Sequence, residues 1–227
     1  MFMESTENIP QFGVIFDLDG LLVDSERVQA MAFNETLAGH GITLSDEEFC
    51  DLVGWSTWQN FLDIQKRHHL PESVESLIAR KDASYSALVP RHMNAMPGAL
   101  MLVRELHVAG IPMAVASSSF RKDVQASLRT VGLASMLPML ATGDEVEHTK
   151  PAPDLYLLAA RRLGLSPSQC IAFEDTQTGL RAAHAAGVPC IAVPNHYSRH
   201  HDFSLATQVL NSLEEIGLST LKSLIIR

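Results

Sequence analysis

Short, unbroken apolar runs separated by helix-length amphipathic stretches leave this chain few folds to choose from. The runs are Val14-Ile15-Phe16, Met113-Ala114-Val115-Ala116, Met139-Leu140-Ala141, Cys170-Ile171-Ala172-Phe173 and Cys190-Ile191-Ala192-Val193. A strand with one wet face alternates apolar and polar residues, whereas a strand covered on both faces is apolar throughout. Gln208-Val209-Leu210 is a candidate for one further edge strand. Between the runs lie helical patterns. In Gly98 to Ala109, Leu102, Val103 and Leu106 share a stripe opposite Arg104 and Glu105, and Asp154 to Leu163 sets Leu155, Leu158 and Ala159 against Arg161 and Arg162. Gly110, Gly132, Gly164 and Gly187 each follow such a segment, where a helix end favours positive φ. Strand–helix alternation of this kind predicts an α/β fold, a doubly wound parallel sheet with right-handed crossovers.

One stretch interrupts the alternation. From about Ser25 to about Met93 only helical patterns occur, such as Trp58 to Arg67 and Ser73 to Leu88, and the stretch ends at the turn signal Met96-Pro97-Gly98. An inserted all-helical cap domain over residues 25–93 is expected, with the catalytic core formed by 1–24 and 94–227.

Composition narrows the function classes. With 46% hydrophobic residues the 227-residue chain can bury a normal core, and its net charge of −9 argues against nucleic acid as a partner. It does not exclude a small anion, which a few placed cations can hold. Cys50, Cys170 and Cys190 make no metal or disulfide spacing and read as reduced thiols. Met1 to Gln11 carries no apolar signal region, and no apolar stretch approaches the length of a membrane span. A cytoplasmic protein without a membrane partner, monomeric or weakly dimeric, is expected.

Polar residues then gather where strands end, the place where open α/β sheets bind ligands. The first strand runs into Asp17-Leu18-Asp19-Gly20, the second into Ser117-Ser118-Ser119. The third is followed by Thr149-Lys150-Pro151 and the fourth by Glu174-Asp175. Each alone has an ordinary reading: a surface turn, a helix N-cap, a solvated lysine, or capping by Asp175. Together they supply carboxylates, a hydroxyl and a lysine in one place. Oxygen donors of this kind select Mg²⁺, and phosphoryl transfer needs charge neutralisation, alignment and a nucleophile. A carboxylate is already ionised and needs no activating base.

The stretch from Phe16 to Ser25 (Phe-Asp-Leu-Asp-Gly-Leu-Leu-Val-Asp-Ser), with Ser117, Lys150-Pro151 and Glu174-Asp175, resembles the haloacid dehalogenase (HAD) superfamily. The likeness is to its helical-cap branch, which includes small-molecule phosphatases and β-phosphoglucomutase. The resemblance implies a Rossmann-like HAD core. It makes Asp17 the nucleophile that forms an aspartyl-phosphate, and Asp19 the general acid and base. Ser117, Ser118 and Lys150 would bind the phosphoryl group. Asp17, Asp19 through its main-chain carbonyl, Glu174 and Asp175 would serve the metal. In the cap, Gly54-Trp55-Ser56-Thr57 matches a loop that faces the active site in relatives. Members of the β-phosphoglucomutase group carry an arginine there for a second phosphate, where this chain has Thr57. Lys81 matches a cap lysine of that group, and Gln29 replaces a histidine often found after the first motif. The expectation is therefore a Mg²⁺-dependent phosphatase for a small phosphorylated metabolite, a sugar phosphate first, with a phosphosugar mutase as the alternative. A metal-free dehalogenase fits less well, because Asp19 and the acidic pair are present. Trp55 is a candidate substrate-facing aromatic or part of the cap core, and Trp58 is expected in that core. His196, His200 and His201 read as loop residues.

Overall fold

The computed structural model describes residues 12–53 and 55–225; Met1–Gln11, Gly54, Ile226 and Arg227 lie outside it. Six strands form one parallel sheet in the order β3-β2-β1-β4-β5-β6. They are β1 (Gly13–Phe16), β2 (Met113–Ser117), β3 (Met139–Thr142), β4 (Cys170–Glu174), β5 (Cys190–Ala192) and β6 (Gln208–Val209). All five apolar runs are strands, and the sixth candidate is the edge.

Alternate residues of each strand enter different cores. Val14, Phe16, Met113, Val115, Ile171, Phe173 and Ile191 face one side, where large side chains meet helices. Ile15, Ala114, Ala116, Cys170, Ala172 and Cys190 face the other, where mostly small strand residues meet helices. On the first side lie α5 (Ala99–Val108), α6 (Arg121–Thr130) and α9 (Leu218–Ile225). On the second, α7 (Asp154–Leu163) and α8 (Gln177–Ala185) bring Ala159, Ala160, Ala182 and Ala183. Gly110, Gly132, Gly164 and Gly187 end their segments at φ 68°, 77°, 71° and 75°.

Among the described residues, 25–92 contain helices and no strand: α1 (Ser25–Ala38), α2 (Asp46–Cys50), α3 (Thr57–His68) and α4 (Val74–His92). Ser45 and Ser56 open α2 and α3 with capping boxes, and Ser73 caps α4. These helices bury a third cluster of their own, including Phe33, Leu37, Phe49, Phe61, Ile64 and Leu77. Phe33 stacks on Phe61 with centroids 4.7 Å apart and meets Phe49 edge-on at 5.8 Å. Trp58 departs from expectation: it is 46% exposed, because the buried stripe of α3 runs through Asn60, Phe61 and Ile64 and leaves Trp58 to one side. No described helix is long and apolar enough to cross a membrane.

The order of the strands fixes where a site can form. The chain fills the sheet on one side of β1, then crosses back to place β4 on its other side. Loops leaving β1 and β4 therefore diverge, opening a crevice beyond their carboxyl ends.

Candidate active site

Register brings the motif residues together. Phe16 pairs with both Val115 and Phe173, and the Asp17 amide donates to the Phe173 carbonyl at 3.0 Å. Asp17 thus leaves β1 beside Glu174, the last residue of β4. The preceding residues of both strands, Phe16 and Phe173, stack their buried rings at 5.4 Å.

Asp17, Glu174 and Asp175 are buried, and one carboxylate oxygen from each falls within 4.8 Å of the others. Lys150 Nζ bridges them, bonding Asp17 Oδ1 and Glu174 Oε1, the latter at 2.6 Å. Tyr156, fully buried, also donates its hydroxyl to Glu174 Oε1. Glu174 is consequently occupied by Lys150 and Tyr156, and its place is the lysine's anchor. Asp175 is different: Asn195 Nδ2 holds its Oδ2 at 2.9 Å, while its Oδ1 is buried with no hydrogen-bond partner.

Asp19 turns toward the β2 loop. Ser119 Oγ donates to Asp19 Oδ2 at 2.9 Å, and Ser117 Oγ lies 3.4 Å from the same oxygen. Ser117 Oγ in turn accepts the Ser119 amide at 3.1 Å. The serines are not helix caps, since α6 begins after Phe120 without a side-chain cap. Nor does Asp175 cap α8; Thr176 does, accepting the Gly179 amide. Neither set of motif residues therefore caps a helix.

A cleft of about 490 Å³ runs over this array, lined by Asp17, Asp19, Ser118, Ser119, Thr149, Lys150 and Asp175 from the sheet side. Val53, Trp55, Ser56 and Thr57 line it from the helical insert. Trp55 is 65% exposed beside it, so it belongs to the cleft rather than to the insert's core. Gly54 lies outside the described residues. Lys81 stands apart: its ammonium is buried between α1 and α4, 3.0 Å from Gln29 Oε1 and 2.9 Å from Asp82 Oδ1. It lies over the Phe33 and Tyr85 rings and does not reach the cleft wall.

Several residues of the site escaped the sequence reading. Glu26 enters the cleft from the first turn of α1; Asn195, Tyr156 and Ser119 hold the motif carboxylates. The partners of Asn195, Tyr156 and Ser119 lie far away in sequence, so spacing carries no signal for them, whereas Glu26 follows directly on the first motif. Only Ser119 stood within a stretch already marked as polar. Gly20 shows how tightly the carboxylates converge. It takes φ 79°, and a Cβ there would stand 2.4 Å from Asp175 Oδ2 and 2.7 Å from Glu26 Oε1.

Too much negative charge is gathered here for one lysine. Burial pushes the Asp17 carboxyl up to about 8, with Glu174 and Asp19 adding to the rise and Lys150 opposing it. Glu26 also rises to about 8, through burial and then the nearby Asp19. Asp175 is pushed well above the usual carboxylate range by burial, Glu26 and Asp17. Burial works against the charge of Lys150, yet Asp17 and Glu174 outweigh it and raise its pKa. Such a cluster suits a divalent cation. The donors are hard oxygens, and Asp175 Oδ1 lacks the partner that a buried polar atom ordinarily has. The histidines do not compete: His196 and His200 are exposed, and His201 accepts the Gln177 amide. Among the described residues, the acidic trio is the one cluster spaced for a metal.

A parallel sheet whose β1 and β4 ends carry this lysine-bridged carboxylate array defines a class of hydrolases. The profile of the haloacid dehalogenase-like hydrolases matches residues 14–193, and the chain belongs to that family. It is a phosphatase of the family, a phosphomonoester hydrolase. Protein CbbY of Cereibacter sphaeroides is 35% identical over 214 residues, covering 90% of this chain and 93% of CbbY. The fructose-1-phosphate phosphatase YqaB of Escherichia coli is 32% identical over 181 residues, covering 80% and 95%. A crystal structure of a CbbY variant from Rhodobacter sphaeroides, in complex with xylulose-(1,5)bisphosphate, superposes with a TM-score of 0.80 at 33% identity. That match covers 92% of this chain and 98% of the other.

Proposed function

We propose that this chain hydrolyses a small sugar phosphate in two steps through an aspartyl-phosphate on Asp17, with Mg²⁺ as cofactor. The observation that carries this is the pairing of buried Asp17 with Lys150 and with the orphaned oxygen of Asp175. Lys150 engages Asp17 Oδ1, and Oδ2 accepts no hydrogen bond from the described residues, which leaves a lone pair for attack. In the first step an Asp17 oxygen bonds to phosphorus while the ester oxygen departs and takes a proton from Asp19. In the second, Asp19 takes a proton from water, whose oxygen bonds to phosphorus as the bond to Asp17 breaks. General acid–base assistance of this kind contributes about 10²–10⁴ in rate. Ser117, Ser118 and Lys150 bind the transferring oxygens, with Lys150 reducing repulsion between Asp17 and the incoming dianion. Asp17, Asp175 and the Asp19 main-chain carbonyl would hold a magnesium ion, which would supply charge neutralisation for the phosphoryl group. Glu174 serves that set indirectly, by fixing Lys150.

Residues 25–93 act as the cap over a core of 1–24 and 94–227, closing Trp55, Ser56 and Thr57 over the substrate and excluding water. A sugar phosphate is supported by the relatives, one named for fructose-1-phosphate and one crystallised with a sugar bisphosphate. Hydrolysis is favoured over a mutase because Thr57, which lines the cleft at the start of α3, has no charge to hold a second phosphate. The test is phosphate release from a panel of sugar phosphates with magnesium, with EDTA, and with a sugar bisphosphate primer. Release that needs magnesium and no primer is expected. Isomerised product that appears only with primer would favour the mutase, and full activity in EDTA would remove the metal from the mechanism.

A further inference from the structure

Asn195 sits in the loop after β5, and every polar atom of its side chain is used. Its Nδ2 donates to Asp175 Oδ2 at 2.9 Å and to the Gly20 carbonyl at 3.0 Å. Its Oδ1 accepts the amides of Tyr197 at 2.8 Å and Ser198 at 3.2 Å. Its own amide donates to Oγ of Ser198, which is fully buried. One side chain thus fastens three things: the turn at 195–198, the backbone of the first motif at Gly20, and one oxygen of Asp175.

The consequence for Asp175 is geometric. A carboxylate pinned through Oδ2 has its other oxygen set in direction, and Oδ1 is the buried atom without a partner. Without the amide, nothing on that side would fix the rotation of the carboxyl group. Gly20 completes the fit, since any side chain there would collide with both Asn195 and Asp175.

The same turn reaches the helical insert. Two residues on, the Tyr197 ring meets Phe49 of α2 edge-to-face, with centroids 5.5 Å apart and planes at 83°. Tyr197 packs against the insert's own cluster rather than against either core of the sheet. The backbone amide of this same tyrosine is held by Asn195 Oδ1. A rigid path of two residues therefore joins the packing of the insert to the carboxylate of Asp175.

We infer that Asn195 is a positioning residue for the cation-binding oxygen of Asp175, and that Tyr197 makes this positioning depend on how the insert is seated. The inference rests on the reading that Asp175 holds a divalent cation. Groups that orient a metal-binding side chain commonly change affinity by about 10–100-fold when removed.

The experiment titrates Mn²⁺ into the substrate-free protein by calorimetry, with melting temperature followed without metal. Asn195→Ala is expected to weaken Mn²⁺ binding about tenfold or more while remaining folded. Tyr197→Ala is expected to weaken it by a smaller factor, and Tyr197→Phe, which keeps the ring on Phe49, to bind as the parent does. An Asn195→Ala protein that binds Mn²⁺ like the parent overturns the role of Asn195. If that variant does not fold, Tyr197→Ala decides, and parent-like affinity there overturns the link to the insert. A parent protein that fails to bind Mn²⁺ instead overturns the cation reading itself, so the two failures are told apart.

Discussion

Asp17 and Asp19 stand two residues apart and yet live in different surroundings. Asp17 is buried against Lys150, whereas Asp19 is only half-buried and held by Ser119. That difference suits the division into nucleophile and proton carrier, and it yields separable outcomes. Asp17→Asn should reduce phosphate release to background while the melting temperature holds or rises, because one member of a repelling cluster is lost. Asp19→Asn should lower kcat by about 10²–10⁴-fold with a smaller effect on KM; steady-state kinetics on a sugar phosphate measures both. Gly179 sits at the same scale. A Cβ there would stand 2.0 Å from the Glu174 carboxylate. Gly179→Ala should therefore displace Lys150's anchor, destabilise the fold by about 1–3 kcal/mol and depress activity, read by denaturant unfolding and kinetics. Asn195 lay beyond the sequence reading because side chains that meet only in three dimensions leave no periodicity or spacing.

At the scale of elements, the crossing from β3 to α7 is tied by one acid. Glu145 bonds Arg121 of α6 and Arg162 of α7, each at 2.8 Å, and Thr142 Oγ1 at 2.8 Å. The Arg162 hydrogen bonds, then those of Thr142 and Arg121, hold its carboxyl far below the ordinary 4.5. A depressed folded pKa stabilises above the unfolded value and loses that contribution as pH falls toward the folded one. The contribution should thus be complete above about pH 5 and shrink progressively as pH falls below about 4, vanishing only near the folded pKa. Glu145→Gln is expected to cost about 1 kcal/mol at neutral pH, with the gap to the parent closing as pH drops below 4 in urea titrations. The elements themselves were largely legible. Unbroken apolar runs located five of the strands, the sixth being the candidate edge at Gln208-Val209, and glycines located helix ends. Trp58 was misjudged because a helix pattern shows that a stripe exists, while the packing of α3 decides which residues occupy it.

Across the whole molecule, the clustered acids make stability depend on pH and on cations. Asp17 and Glu26 have folded pKa values raised to about 8, and Asp175 is raised as well. A carboxyl with a raised folded pKa stabilises the fold only while protonated, so metal-free stability should fall as pH rises from about 4 to about 8. Binding of Mg²⁺ to the folded state alone offsets this by mass action. The melting temperature should therefore rise on adding Mg²⁺, and more at pH 8 than at pH 5. Equal shifts at the two pH values would count against a cation held by these acids.

From its residues alone, this chain determined a buried parallel sheet, an all-helical stretch between its first two strands, and four polar motifs at strand ends. Those are consequences of local order, because apolar runs, amphipathic stripes and turn residues act over a few neighbours. Tertiary structure decided the rest. Only the return of the chain to the far side of β1 sets Glu174 beside Asp17 and brings Lys150 between them. Only the folded loop after β5 takes one oxygen of Asp175 and leaves the other bare. Charge repulsion, burial and shared hydrogen bonds exist between groups in space, and they acquire values when the fold sets the distances.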